Sequence, residues 1–390
     1  MHNDDIDALL RLVVAGGAAA PRKSLLDHHP SPAAALAAGA SLWRAYGLSD
    51  AQVGALLKPD RSRLEQAQRW LTEPGHHLLG WTDPDYPSLL RRGSNAPFAL
   101  FVAGDPALLW HPSIAVVGSR AATPGGRDNA AAFARMIAGA GFGVASGLAA
   151  GVDAAAHEAA LQAGGLTIAV LGTGPDVPYP RSHAHLHGRI AASGAVVSEH
   201  LPGTGARAEH FPSRNRILAG LALGTLVVEA AERSGALITA RLAIEAGREV
   251  FAIPGSIHNP LTRGCHRLIR DGAMLVETAA EVVAALAPAA QELATDLRRR
   301  LDAPTSEAQD PRQDAVARGA GAGSDAFRRP LSAHDADYQK LWKALGHDPT
   351  CMDQLVERTG LTPAELSSML LLMELDGRVT TQHGRYHRSR

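Results

Sequence analysis

At 390 residues the chain exceeds the ordinary size of a single domain, so two or three domains are expected. A hydrophobic fraction of 46% argues for packed globular cores and against a chain disordered throughout. Basic and acidic residues nearly cancel, 38 against 39, which excludes a histone-like tail or a polybasic membrane anchor and leaves any polyanion contact to a local patch.

The first 85 residues read as a small helical module. Ile6, Leu9, Leu10, Val13 and Val14 recur at helical spacing, and apolar positions from Leu64 to Leu71 do so again. Breaks fall at Gly16-Gly17, Pro30-Ser31-Pro32 and Pro74-Gly75. The acidic start, Met1 to Asp5, has no basic segment leading into an apolar core, so no signal peptide is expected, and no later stretch is long and apolar enough to span a bilayer. Cys265 and Cys351 stand far apart without a Cys-x-x-Cys partner, which fits a reducing, cytoplasmic setting and neither a disulfide framework nor a structural zinc.

Residues 86–287 change pattern. Short apolar runs at Ile114–Val117, Gly143–Ala145, Thr167–Leu171, Ala195–Val197, Thr225–Val228 and Glu249–Ile253 alternate with helical segments. Apolar strands of this kind are buried on both faces, so the expected fold is α/β, a Rossmann-like doubly wound and mostly parallel sheet. Ligands bind such sheets at the C-terminal ends of the strands. Residues 288–330, rich in Ala, Pro and Gly, read as a linker, although 291–301 can extend a helix.

Residues 331–390 read as a winged helix. Tyr338, Leu341, Trp342 and Leu345 mark one helix; Met352, Leu355 and Val356 mark a second. Thr362-Pro363-Ala364-Glu365 supplies a cap, a first-turn proline and a capping-box Glu for a third over Leu366–Leu375. Residues 378–387 then form two strands around His383-Gly384.

The loops after the strands carry the candidate chemistry. Gly118-Ser119-Arg120 ends the first strand, and Thr123-Pro124-Gly125-Gly126 opens a helix whose free N–H groups suit an anion. Alone this also fits a tight turn with a surface arginine. After the second strand, Ser146-Gly147 offers a hydroxyl and backbone donors, and Asp153 and His157 stand one helical turn apart as a helix-start carboxylate and a hydrogen-bonded structural histidine. Gly172-Thr173-Gly174 follows the third strand, with Tyr179 able to stack on a base or merely pack and Arg181 placed for a phosphate. His183, His185 and His187 alternate, but positions i and i+2 on a helix face apart and no metal is expected. Arg214-Asn215-Arg216 begins another helix, Ser234-Gly235 follows the fifth strand and its terminal Glu229, and Pro254-Gly255 with Gly264 to Ile269 follow the sixth. Together these put Gly, Ser and Arg on one rim, as a polyanion requires.

These motifs in this order resemble the DprA or Smf family of DNA-processing proteins. The likeness starts at Tyr86-Pro87-Ser88-Leu89-Leu90 and Pro97-Phe98-Ala99-Leu100-Phe101. It runs through Gly118-Ser119-Arg120, Ser146-Gly147-Leu148-Ala149, Gly151-Val152-Asp153, Ala156-His157, Tyr179-Pro180, Ser198-Glu199, Phe211-Pro212, Arg214-Asn215-Arg216, Ser234-Gly235 and Pro254-Gly255. The resemblance implies a SAM-like helical domain before the α/β domain and a non-catalytic protein, without cofactor, that binds and protects single-stranded DNA during natural transformation. It also implies help in loading the RecA recombinase, a homodimer, and a single-strand-binding protein as a further candidate partner. The family's basic contacts pass to Arg120 and to Arg181, where relatives often carry Lys; Arg keeps the charge but changes the hydrogen-bond geometry. The DNA-binding set is then Gly118, Ser119, Arg120, Ser146, Gly147, Gly174, Arg181, Arg214, Asn215, Arg216, Ser234 and Gly235.

A competing reading is an enzyme resembling nucleoside-monophosphate phosphoribohydrolases. Its Pro-Gly-Gly-x-Gly-Thr-x-x-Glu signature is missing, because Gly224-Thr225 to Glu229 lacks the leading Pro-Gly-Gly. A dinucleotide-dependent dehydrogenase fits less well, since no GxGxxG follows the first strand.

Overall fold

The computed structural model describes residues 3–93, 95–302, 336–345, 350–361, 366, 369–370, 373–374, 378–382 and 385–388. The chain forms two compact units, Met1–Thr305 and Ser306–Arg390.

The first unit opens with six helices: α1 Asn3–Val14, α2 Ala19–Asp27, α3 Pro32–Ala37, α4 Gly39–Ala45, α5 Asp50–Leu57 and α6 Arg61–Leu71. Their starts follow from local chemistry. Ser31 accepts the Ala34 N–H with a proline just inside the helix, Ser49 and Gln52 form a reciprocal capping box, and Asp60 accepts the Arg63 N–H. Leu9, Leu10, Leu25 and Leu56 are fully or almost fully buried and join the helices into one core.

The sheet then begins with β1 His76–Gly80, α7 Ser88–Arg91 and β2 Ala99–Gly104. It continues with β3 Ser113–Val117, α8 Pro124–Gly139, β4 Gly143–Ser146, α9 Val152–Gln162, β5 Thr167–Val170, α10 Ala184–Ser193 and β6 Ala195–Ser198. The second half is α11 His210–Leu221, β7 Gly224–Val227, α12 Gly235–Glu245, β8 Glu249–Ala252, α13 Arg263–Arg270, β9 Met274–Leu275 and α14 Ala279–Asp302. The nine strands lie in the order β1-β2-β6-β5-β4-β3-β7-β8-β9. From β6 to β9 neighbours are parallel, while β2 joins β6 and β1 in antiparallel pairs.

Side chains alternate through the sheet as a pleated strand demands. Ala115 and Val117 face a core shared with α11 and α12, whereas Ile114 and Val116 face one shared with α8, α9 and α14. Towards β6, that second face is covered instead by the N-terminal helices and α10, through Leu186, Ile190, Ala169 and Val196. All six runs read as strands from the sequence are strands, and the α/β reading holds.

Three strands fall outside those runs, and two expected boundaries move. The sheet already begins at His76, inside the stretch read as a separate helical module, because β1 pairs with β2 from His76↔Ala103 to Gly80↔Ala99. Leu78 of β1 packs in the same core as the helices, so helices and sheet share buried surface. The expected linker start at 288 also shifts, since α14 runs through Pro288 to Asp302. An internal proline opposes a helix by about 3 kcal/mol. Burial of Val282, Leu286 and Leu293 against the sheet outweighs it, at about 1.5–3 kcal/mol per large aliphatic side chain.

In the second unit, α15 Ala336–Ala344 and α16 Met352–Thr359 pack with a three-stranded antiparallel sheet. Its strands are β10 Thr350–Cys351, β11 Val379–Gln382 and β12 Arg385–Arg388, in the order β10-β12-β11. Leu341, Leu345, Leu355, Leu366, Met369, Leu370, Met373 and Val379 form its core, with the 366–373 positions at helical spacing. The Thr362–Glu365 cap, the His383-Gly384 turn and the 303–330 part of the linker lie outside the described residues.

Candidate nucleic-acid interface

Strand order reverses at β3. From β3 the chain steps outward through β4, β5 and β6, then returns to place β7 on the other side of β3. Loops leaving β3 and β7 therefore diverge and open a crevice at the C-terminal edge of the sheet, the place where such folds bind ligands. A cavity of about 630 Å³ lies there. Gly118, Ser119 and Arg120 line it from β3, Arg233, Ser234 and Gly235 from β7, and Arg207, Arg214 and Asn215 from the segment after β6. A smaller hollow of about 210 Å³ adjoins it, lined by Arg120, Gly147, Tyr179 and Pro180.

Close backbone approaches explain why small residues stand at these turns. A Cβ on Gly118 would lie 2.6 Å from Val152 Cγ2, and one on Gly147 would overlap the Arg214 guanidinium. Gly151 has φ +82° and passes directly beneath the Ser119 and Arg120 carbonyls, where no side chain fits. Leu148 holds a left-handed φ of 60° although it is fully buried, a conformation that disfavours a non-glycine residue by about 1–2 kcal/mol. The bend it makes aims the Gly147 and Ala149 N–H groups at Asp153 Oδ2, at 3.1 and 3.3 Å.

The floor of the crevice is buried and internally bonded. Arg214 donates to the Val170 carbonyl. Burial pushes its guanidinium down to about 10, with Asp153 acting in the opposite direction. Burial likewise raises the Asp153 carboxyl, against the pull of Arg214 and the two backbone donors. Behind them the Thr167 hydroxyl donates to the Val144 carbonyl at 2.7 Å, so its oxygen accepts from His157 Nδ1, also at 2.7 Å. Burial lowers His157 to about 3, which makes it a neutral structural histidine. Glu229, just past β7, accepts from the Thr123 backbone N–H, the Thr123 hydroxyl and Asn259 Nδ2 at 2.9, 2.7 and 3.2 Å. That carboxylate ties the start of α8 to the loops after β7 and β8.

The rim has the opposite character. Arg120, Arg207 and Arg233 are exposed. Arg120 lies 5.3 Å above the Phe211 ring, and Phe211 in turn packs on Tyr179 with ring centroids 5.0 Å apart. Tyr179 is 41% exposed and precedes a cis peptide bond to Pro180. The rim thus offers forked cationic donors beside an open aromatic face, the combination that holds a phosphate backbone and stacks a base.

The structure sorts the residues singled out from the sequence. It gathers Gly118, Ser119, Arg120, Arg214, Asn215, Ser234 and Gly235 at the main cavity, and Gly147 at the adjoining hollow. Ser146 is buried and donates to the Val116 carbonyl at 2.6 Å. Gly174 is buried where its N–H meets the Thr204 carbonyl at 2.8 Å. Arg181 is exposed on a 3-10 turn just beyond Pro180 but does not line either cavity. Arg216 faces elsewhere and pairs with Glu199 at 2.5 Å. His183 and His187 bond the Leu148 and Pro175 carbonyls. Arg207 and Arg233 escaped the sequence reading; the signal for Arg233 was its place immediately before Ser234-Gly235, and Arg207 sits in an unpatterned loop.

Comparison with known proteins bears on what this crevice is. The family model for DNA recombination-mediator protein A matches residues 77–287, and that for the DprA winged helix domain matches 325–385. Protein Smf of Escherichia coli (strain K12) is 39% identical over 345 residues, 88% of this chain and 86% of the relative. The chain belongs to the DprA/Smf family of DNA-processing proteins. A second member, DNA processing protein DprA of Streptococcus pneumoniae, is 49% identical over 204 residues, 52% of this chain and 71% of the relative.

Solved structures of the family share the fold. The X-ray structure of the Streptococcus pneumoniae protein superposes with a TM-score of 0.64 at 36% identity, covering 73% of this chain and 98% of that one. A structure describing the single-stranded DNA binding mode of DNA processing protein A from Helicobacter pylori superposes with a TM-score of 0.50 at 26% identity, covering 55% and 96%. The β3/β7 crevice and its Gly118-Ser119-Arg120 turn lie inside the matched family domain.

Proposed function

We propose that the protein binds single-stranded DNA in the β3/β7 crevice, holding the sugar-phosphate backbone with Arg120, Arg207 and Arg233 and with the donors of Ser119, Ser234 and Gly235. The observation that carries this reading is the exposed arginine rim around an open Tyr179–Phe211 pair at the point where strand order reverses. The Helicobacter pylori relative is described as binding single-stranded DNA, which supports the same ligand here. Backbone contacts and stacking carry little sequence information, so sequence preference is slight. We further infer a cytoplasmic homodimer that protects incoming strands and helps load the RecA recombinase in natural transformation; no helix among the described residues is long and apolar enough to cross a membrane.

The action is binding rather than catalysis. Glu229, the residue that the phosphoribohydrolase signature would make its glutamate, does not line the crevice, is buried, and already accepts three hydrogen bonds from Thr123 and Asn259. An anisotropy titration of full-length protein with single-stranded and duplex oligonucleotides, without nucleotide triphosphate, tests the reading. Tighter binding to the single strand, weakened in Arg120→Ala/Arg233→Ala, is expected. Equal affinity for duplex, or release of base from a nucleoside monophosphate, overturns it. Sedimentation of the free protein and of its complex with the recombinase tests the dimer and the partner.

A further inference from the structure

We propose that the cavity walled by the N-terminal helices and the loop after β6 is a second anion site that takes a phosphate group. It has a volume of about 410 Å³ and brings together Arg22, Arg63, Arg207 and Arg216 against the single carboxylate of Glu199. Four guanidinium groups facing one carboxylate leave a surplus of positive charge that an anion satisfies.

The donors are unequally engaged. Arg22 is buried, bonds the Leu12, Gly17 and Ala18 carbonyls, and lies 4.6 Å over the Phe98 ring. It contributes field rather than free donors. Arg216 directs Nη2 to Glu199 at 2.5 Å, whereas its Nη1 is buried without a hydrogen-bond partner. His200 Nε2 is buried and unpartnered as well, and its ring stacks on His210 at 3.9 Å. Burial, followed by His210, Arg216 and Arg207, lowers His200 to about 4, so at neutral pH the ring carries no charge. Buried polar atoms are rarely left unpaired; Arg216 Nη1 can only donate, and His200 Nε2 donates in its Nε2–H tautomer, so an acceptor beside this basic cavity satisfies both. A tetrahedral oxyanion supplies acceptors in several directions at once and suits the forked donors of Arg63, Arg207 and Arg216.

Arg207 lines this cavity and the crevice alike. A phosphate bound here is therefore a strand phosphate leaving the crevice past Arg207, or free phosphate. The first source rests on the crevice binding DNA; the second does not.

Affinity is measured for a short oligothymidylate of roughly 5 nucleotides and a longer one of roughly 15, alongside inorganic phosphate followed by thermal shift. Three variants of the full chain are compared: Arg63→Ala/Arg216→Gln, Glu199→Gln and Arg120→Ala. Losing these charge-assisted contacts is expected to weaken the longer oligonucleotide about tenfold and to spare the short one. Glu199→Gln, which removes only the negative charge, is expected to tighten the longer strand several-fold, an outcome that a misfolded cavity does not give. If oligonucleotides of both lengths are unaffected but the phosphate shift is lost in the double variant and enlarged in Glu199→Gln, the site stands with free phosphate as its source. If no probe responds to either change, the proposal is overturned. Arg120→Ala separates the two sites: unchanged binding of the short strand sinks the crevice reading, while the phosphate titration still decides the cavity.

Discussion

The floor and the rim of the crevice use the same residue types for different ends. Arg214 and Asp153 on the floor are buried, desolvated and bonded to backbone, while Arg120, Arg207 and Arg233 on the rim are exposed beside open space. The arginine below the sheet edge is engaged with the Val170 carbonyl and the Asp153 charge; those above it present their guanidinium groups to solvent, as the proposed strand site requires. Burial, rather than identity, decides which.

Removing a floor residue tests this contrast most severely. Arg214→Ala removes the donor to the Val170 carbonyl and leaves the Asp153 carboxylate with its backbone donors but no opposing cation in a dry interior, and a stability loss of about 3 kcal/mol or more is expected in urea unfolding. Strand binding should vanish with the fold. A variant as stable as the parent breaks the distinction between floor and rim.

Acid acts on the floor as well. His157 titrates near 6.5 when unfolded and at about 3 when folded, so between those values the unfolded chain binds the extra proton. Stability is therefore full above about pH 6.5 and falls as pH drops towards 3, with about 2 kcal/mol lost from this residue between about pH 7 and about pH 5. Urea melts across that range should show the slope, and His157→Gln should reduce it, leaving the part that His200, lowered to about 4, contributes in the same direction. A related lesion, Glu229→Gln, removes the charge that draws together Thr123 and Asn259. A loss of about 1–2 kcal/mol is expected, with weaker strand binding because the Gly118–Thr123 turn loosens.

Rim substitutions should do the converse. Arg120→Ala or Arg233→Ala is expected to weaken single-strand affinity about tenfold and to lower the slope of log K against log salt by about 0.7 per lost phosphate contact. Thermal stability should change by less than about 0.5 kcal/mol. Arg181→Ala, exposed but outside the lining, should have a smaller effect on affinity, and a loss equal to that of Arg120→Ala would extend the rim to the turn after Pro180. The smallest effect is expected from deleting residues 331–390: strand affinity within about threefold, measured by anisotropy, with near-complete loss placing the main site in the winged helix.

The parts of the fold that the sequence made legible are those whose physics is local. Runs such as Ile114–Val117 and Thr225–Val228 are apolar because both faces of a central parallel strand are covered. By contrast, β1 carries two histidines at its start, β2 ends in Ala103-Gly104, and neither repeats the strand–helix rhythm, because both join the sheet antiparallel. The site divides in the same way. Gly118-Ser119-Arg120, ambiguous alone, was readable because it directly follows the Ile114–Val117 run and opens the ordered series of motifs, whereas Arg214-Asn215-Arg216 looked like one basic cluster. On a helix, residues two apart point to nearly opposite sides, so Arg214 enters the floor and Arg216 a different cavity. Arg207 could not be found that way, since its position depends on how the loop after β6 folds back over the sheet.

The placement of β7 beside β3 governs when, as well as where, this surface exists. Thr123 and Glu229, whose hydrogen bonds join the loops leaving β3 and β7, are separated by 106 positions in sequence. A nascent chain that has released β3 through β6 from the ribosome has four parallel strands and the Gly118-Ser119-Arg120 turn, yet has no opposite wall until β7 inserts. Pairing over such a span is slow compared with local helix formation. Competence to bind a ligand therefore arrives only after β7 has paired with β3, and a strand that binds the folded arrangement alone favours that long-range step of folding.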